Sequence, residues 1–250
     1  METSFDSGYD KYVKCVEQLL DSNDLSNFKN NPDYTYMLEH VSIKQGKEYY
    51  NLIKNEFNIN DIIIKTYCNL NDSIGNPEID TYSFGTASPS SLRYIYLSNL
   101  CLKYMKTLGK NTVNIAEIGG GYGGLALALE FFSKYYDIII EQYDIIDINI
   151  ITKLQEKYIN KLTTYSPIFK FHDAATYGNN ITSDNLFLIS CYAFSEISLP
   201  HQEKYIQTMF YKVSNGFFVW NTNTIIDFRK KYTKEVERPL TGQYNEFLYF

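Results

Sequence analysis

Apolar residues recur at helical spacing in the first third of the chain and gather into short β-branched runs further on, and this change of period predicts the architecture. Across residues 8–21, Tyr12, Val13, Val16, Leu19 and Leu20 share one helical face, and Asn31-Pro32 reads as an N-cap followed by a first-turn proline. Over residues 67–89 the periodicity lapses among Gly75, Pro77, Gly85 and many polar residues, which predicts a long loop packed over the rest. Ser88-Pro89 then opens another helix, with Leu92, Tyr96 and Leu100 on one stripe and Leu97, Cys101, Met105 and Leu108 beside it, ending at Gly109.

From residue 112 onward strands and helices alternate. Residues 113–118 form an apolar strand, 125–130 begin a helix, 138–147 form a second strand, and Ile150, Leu154, Tyr158 and Leu162 mark a helix over 149–162. Residues 168–171, 186–191 and 217–220 read as further strands, 200–213 as a helix closed by Gly216, and 246–250 as a last strand. Such alternation predicts an α/β fold: a doubly wound, Rossmann-like parallel sheet with its ligand at the carboxyl ends of the strands. Residues 1–111 are expected to form a mainly helical cap and substrate region, and residues 112–250 the ligand-binding domain.

Composition narrows the chemistry. The 44% hydrophobic and 21% charged content suits a globular protein, and no apolar run approaches the roughly 18 residues that span a membrane. Met1 to Asp6 lacks a basic region followed by an apolar one, so a cytoplasmic location is expected. Cys15, Cys68, Cys101 and Cys191 lie far apart with no C-x-x-C pair, which argues for reduced thiols and against zinc or another metal site. A net charge of −6 opposes a nucleic-acid partner, whose affinity needs clustered cations. Only Arg93, Arg229 and Arg238 are arginines among the 23 basic residues, while Asn, Ile, Tyr and Lys abound, the imprint of an AT-rich genome. That bias weakens any argument from the 24 tyrosines and makes each arginine more notable.

The strand over 113–118 ends in Glu117-Ile118 and runs into Gly119-Gly120-Gly121-Tyr122-Gly123-Gly124, a strand, glycine turn and helix in succession. Glycines there tolerate positive φ and let backbone N–H groups approach a ligand at the helix N-terminus. Gly119, Gly121 and Gly124 satisfy the G-x-G-x-x-G dinucleotide pattern, and Glu117, Gly119, Gly121 and Gly123 give E-x-G-x-G-x-G. The acid decides between them: Glu117 attracts the ammonium of a methionyl group and repels a pyrophosphate. S-adenosylmethionine (SAM) is therefore the expected cofactor.

The other strand ends supply partners. Asp147 closes the second strand about 20 residues past the glycine turn, where an acid meets ribose hydroxyls, with Asp144 as its competitor. Asp173 ends the third strand, placed either to accept from an adenine amino group or to begin a turn, and the adjacent His172 reads as a packed neutral ring. Ser190 ends the fourth strand beside the cofactor, followed by Tyr192, which can face a sulfonium, and by Glu196 and His201, the candidate bases. For Glu196 and His201 the plainer reading is a first-turn helix acid and a helix-surface residue.

Several of these segments together resemble the sugar O-methyltransferase family of SAM-dependent enzymes. The likeness rests on Glu117-Ile118-Gly119-Gly120-Gly121-Tyr122-Gly123-Gly124, Met37-Leu38-Glu39-His40-Val41-Ser42, Asp72-Ser73-Ile74-Gly75-Asn76-Pro77, Ser88-Pro89-Ser90-Ser91-Leu92-Arg93-Tyr94 and Ser190-Cys191-Tyr192-Ala193-Phe194-Ser195-Glu196. The resemblance implies methyl transfer from SAM to a hydroxyl of a sugar, free, nucleotide-linked or within a glycan, with Glu117, Gly119 and Gly121 on the methionyl moiety and Asp147 on the ribose. Ile148-Asn149 departs from the family's Leu-Pro, and the C-terminal end is short. Arg93 is expected to clamp a carboxylate or phosphate, and Tyr82, Tyr94 and Tyr192 to enclose the sugar. Two rival functions share the fold. An NAD-dependent nucleotide-sugar oxidoreductase needs a Tyr-x-x-x-Lys pair, which Tyr158 lacks because Leu162 stands four positions on. A catalytically silent domain would instead bind a partner through the N-terminal helices.

Overall fold

The computed structural model describes residues 7–163 and 168–250; residues 1–6, read above for a leader, and 164–167 lie outside them. Four helices come first: α1 (Ser7–Ser22), α2 (Pro32–Thr35), α3 (Ile43–Phe57) and α4 (Asp61–Asp72). Local chemistry sets their starts. The Asn31 side chain accepts from Asp33 N ahead of Pro32, Ser42 and Gln45 form a reciprocal capping box, and Asn60 accepts from Ile62 N.

The loop expected over residues 67–89 is in part helix and hairpin. α4 runs on through Tyr67, Cys68 and Asn71, all buried, and β1 (Asp80–Tyr82) pairs antiparallel with β2 (Gly85–Ala87). Polar residues enter α4 because tertiary hydrogen bonds satisfy them. Asp72 accepts from Ser88 N, Ser88 Oγ and Ser91 Oγ at 2.7–2.8 Å, and Asn71 Nδ2 donates to Ser91 Oγ at 2.8 Å. These bonds fix the first turn of α5 (Pro89–Thr107), which Ser88 caps and which ends before Gly109 at φ +72°.

Next come β3 (Thr112–Ile118), α6 (Gly124–Ser133), β4 (Ile139–Asp147), α7 (Asn149–Leu162), β5 (Phe169–Asp173), β6 (Leu186–Cys191), α8 (Ala193–Glu196), α9 (Leu199–Thr208), β7 (Val213–Trp220), β8 (Thr233–Val236) and β9 (Glu246–Tyr249). The seven-stranded sheet has the order β5-β4-β3-β6-β7-β9-β8. Its first five strands are parallel, and β9 runs antiparallel to both β7 and β8. This is a doubly wound, Rossmann-like sheet whose order reverses between β3 and β6, the crevice where such folds bind ligands. The helix expected over 200–213 stops at Thr208, and Gly216 lies inside β7 rather than closing a helix. A Cβ at Gly216 would meet Leu188 O at 2.5 Å and the Phe250 ring at 2.3 Å, so the glycine serves close packing within the sheet.

Side chains alternate strictly between two cores. Val113, Ile115, Tyr143, Ile145, Phe187, Ile189, Phe217 and Val219 pack with the N-terminal helices, whereas Ala116, Ile118, Ile146, Leu186, Leu188, Phe218 and Trp220 pack with α9. The parity puts Glu117 on the helical-cap face and Asp144 and Ser190 on the other. No helix among the described residues is long and apolar enough to cross a membrane.

Candidate active site

The glycine turn is braced from the cap side. Tyr122 is buried within the turn, edge-on to Phe28, Tyr94 and Tyr158, and Asn71 Nδ2 donates to its hydroxyl at 3.1 Å. Tyr67 Oη donates to Gly124 O at 2.9 Å. Gly119 has φ +76°, and a Cβ on it would lie 2.1 Å from Ala193 Cβ, so the turn and α8 abut at a point where no side chain fits.

A cavity of about 420 Å³ opens above this turn. Its floor is Glu117, Gly119, Gly120, Gly121 and Asp147; the cap contributes Tyr9, Tyr12, Leu38, His40, Arg93 and Tyr94; Tyr192 and Asn221 follow the ends of β6 and β7, and Glu196 ends α8; and residues 241–245 close the far side. An adjoining cavity of about 100 Å³ is a mostly apolar slot between Ile118, Ile146, Ile148, Ala174, Ile197 and Tyr205, with Asp147 and Glu196 at its rim.

Three carboxylates line the larger cavity, Glu117 and Asp147 beside the glycine turn and Glu196 across from them. Glu117 accepts from Tyr143 Oη at 2.9 Å, and burial lifts its carboxyl to about 7, opposed by Tyr143 and reinforced by Asp147. Asp147 accepts from Ile148 N and Gln155 Nε2, each at 2.9 Å, and burial raises it to about 7 against those bonds. Gln155 Nε2 also donates to Gly121 O at 2.9 Å, tying the acid to the turn. The competitor, Asp144, is engaged on the opposite face by His172 Nε2 at 2.7 Å and Gln142 Nε2 at 2.8 Å.

Arg93 is buried, its Nε without a hydrogen-bond partner, and its guanidinium carbon lies 5.5 Å from the Tyr94 ring centre and 5.9 Å from that of Tyr192. Tyr192 adopts φ +69°, ψ −45°, a conformation costly for a non-glycine residue, and its hydroxyl donates to buried Glu237 at 2.5 Å. Glu237 in turn accepts from Thr241 N, Thr241 Oγ1 and Asn245 Nδ2, which anchors the 241–245 loop to the site. Burial raises the Glu196 carboxyl, and Asn221 Nδ2 donates to it. The His40 ring is pushed down to about 4 by burial and by Arg93, so it is neutral at pH 7.

Of the residues singled out from sequence, the cavity gathers Glu117, Gly119, Gly121, Asp147, Arg93, Tyr192 and Glu196. Four stand elsewhere. Ser190 Oγ donates to Ile118 O at 2.7 Å and accepts from Phe194 N at 2.9 Å, stitching β6 to β3 and α8 on the far face. His201 Nδ1 pairs with Tyr177 Oη at 2.7 Å in the first turn of α9, outside both cavities. Tyr82 is buried in the cap, stacked on Phe84. The Asp173 side chain accepts from Ala175 N, starting a turn, and its neighbour Ala174 lines the slot. Sequence reasoning gave no role to His40, Asn221 or the 241–245 loop. For His40 a signal existed, since it lies within one of the family-like segments.

No family model matches the sequence, and no curated protein matches it. Similar solved structures include an S-adenosylmethionine-dependent methyltransferase from Clostridium acetobutylicum, 11% identical with a TM-score of 0.40, the match covering 56% of each chain. PKMT2 from Rickettsia typhi in complex with AdoHcy is 18% identical with a TM-score of 0.38, over 52% of this chain and 25% of that one. A SAM-dependent methyltransferase from Aquifex aeolicus is 16% identical with a TM-score of 0.40, over 64% of this chain and 96% of that one. The chain thus spans about half the length of the first of these and a quarter of the second.

Proposed function

We propose that this protein is a SAM-dependent methyltransferase acting on a sugar hydroxyl. One observation carries the cofactor assignment: two carboxylates, Glu117 and Asp147, close adjacent parallel strands on either side of a glycine turn and face one cavity that leads into an apolar slot. The donor set suits SAM, which joins a cationic amino-acid tail, a ribose diol and a flat base. A dinucleotide would bring a pyrophosphate against both carboxylates. Glu117 would hold the ammonium, Asp147 the ribose hydroxyls, and the slot lined by Ile148, Ala174 and Ile197 the adenine. Bound SAM supplies a methyl group made electrophilic by the sulfonium.

The chain's own groups do the rest. Glu196 takes the proton from the acceptor hydroxyl while Asn221 holds its carboxylate in place, a contribution typically of about 10²–10⁴-fold. Tyr192 offers its ring as a face for the sugar. The acceptor assignment is supported by the family-like segments 88–94 and 190–196, which supply Arg93, Tyr94, Tyr192 and Glu196 to the same cavity. The oxidoreductase alternative has no support at the site: Tyr158 is buried away from the cavity, bonded to Asn71 and Lys29. Mass spectrometry of sugars and nucleotide sugars incubated with the protein and SAM tests the proposal. A product heavier by one methylene is expected, with Glu196→Gln slower by about 10²-fold or more at unchanged cofactor affinity. Undiminished turnover in Glu196→Gln removes it as base, and absence of methylated product across the panel removes the sugar.

A further inference from the structure

Resting on the methyltransferase reading, a second feature of the cavity specifies what kind of sugar it takes. Arg93 is 5% exposed and lines the cavity, yet among the described residues it forms no ion pair, and its Nε is unpartnered. The buried Glu39 carboxylate attracts this cation without pairing with it, so a guanidinium withdrawn from water keeps donor capacity for an anion in the cavity. Asp72, Ser88 and Ser91 lock the turn that carries it, and the Tyr94 and Tyr192 rings flank its guanidinium.

The charge is carried by the cap helix α5, whereas the cofactor acids end the sheet strands β3 and β4. Arg93 depresses the His40 ring and acts on Tyr94, Tyr192, Tyr49 and the buried Glu39, whereas the rise of Glu117 comes from burial and Asp147 against the Tyr143 bond. The cavity's remaining ionisable groups indicate which anion fits. Glu117, Asp147 and Glu196 are acids, His40 is neutral, and no lysine among the described residues lines the space. A diphosphate would bring more negative charge than one guanidinium offsets, while a single carboxylate matches its two-pronged donor geometry. We propose that the acceptor is an acidic sugar, its carboxylate gripped by Arg93 and its ring laid against Tyr192.

Calorimetry on the full chain saturated with S-adenosylhomocysteine (SAH), titrated with D-glucuronate, D-glucose or inorganic diphosphate, tests this. Glucuronate should bind about tenfold or more tighter than glucose, and Arg93→Gln should abolish the preference while Arg93→Lys keeps only part of it. Glucuronate no better than glucose, or diphosphate tighter than glucuronate, overturns the proposal. So does a loss of SAH affinity in Arg93→Gln that methylthioadenosine, which lacks the amino-acid tail, does not share, because Arg93 then holds the cofactor's carboxylate. If Arg93→Gln does not fold, the wild-type protein decides: acetate should displace glucuronate at constant ionic strength, and failure to compete refutes the carboxylate site. Failure of wild-type protein to bind SAH removes the methyltransferase reading itself, a result distinct from all of these.

Discussion

Replacing Glu117 by Gln should stabilise the protein while stripping it of cofactor. Glu117 is 2% exposed, and burial, against the Tyr143 bond and with the help of Asp147, lifts its carboxyl from 4.5 to about 7. An acid whose folded value lies above its unfolded one favours the native state while protonated, and that contribution disappears as pH rises through the folded value. Above pH 7 the cofactor-free protein is therefore disfavoured through this group by roughly 3 kcal/mol, an upper figure. Gln keeps the shape and carries no charge. Glu117→Gln should then melt higher by several degrees at about pH 8.5, given some 2–4 °C per kcal/mol for a chain of this size, with the gain shrinking to about 1 kcal/mol or less near pH 5. Thermal unfolding by circular dichroism, with and without SAH, reads both halves. The SAH-induced rise in Tm should be large in wild type and nearly absent in the variant, a stability gained at the expense of function. An unchanged melting temperature at high pH, or an SAH shift equal to that of wild type, would refute the reasoning.

Four further outcomes are expected. Because Glu117 and Asp147 both sit at about 7 and are proposed to hold the cofactor as carboxylates, SAH affinity should fall as pH drops below 7, by up to about tenfold per pH unit for each acid; calorimetry in two buffers should show proton release, and an affinity flat from about pH 8 to 6 would contradict it. Gly119→Ala, whose Cβ would stand 2.1 Å from Ala193 Cβ, should lose SAH binding or folding, and a Kd within about twofold of wild type would count against the tight turn. Ser190→Ala breaks two buried bonds on the far face and should cost about 1–3 kcal/mol in urea unfolding with SAH affinity intact; weakened SAH binding at wild-type stability would return Ser190 to the cofactor. Methyl transfer should survive a chelator, and activity lost to EDTA and restored by Mg²⁺ would overturn this.

Elements with a strong period and chemical punctuation were legible in the sequence. The helix Asn149–Leu162, the capped start of α5 and the strand, turn and helix around Gly119 stand where patterning put them. What escaped depended on long-range partners. Residues 67–72 look loop-like because Asn71 and Asp72 are polar, and only the fold shows that Ser88, Ser91 and Tyr122 satisfy them. The face that Ser190 takes was not legible because Leu186–Cys191 is apolar on both faces, as buried parallel strands are, so its alternation carries no sign of which face is which. Arg93 drew notice through its rarity and its family-like segment, and its burial without an ion pair became visible only once α4 and α5 were joined. The 241–245 loop reaches the cavity through buried Glu237 and Tyr192, a contact 45 positions apart that no local pattern announces.

The central claim is electrostatic: Glu117 and Asp147 select a cationic amino-acid tail over a pyrophosphate. Parallel calorimetric titrations of the full chain with SAM, SAH and NADH test it most directly. One SAM or SAH per chain with no heat from NADH is the predicted result, and saturable NADH binding displaced by neither would contradict it.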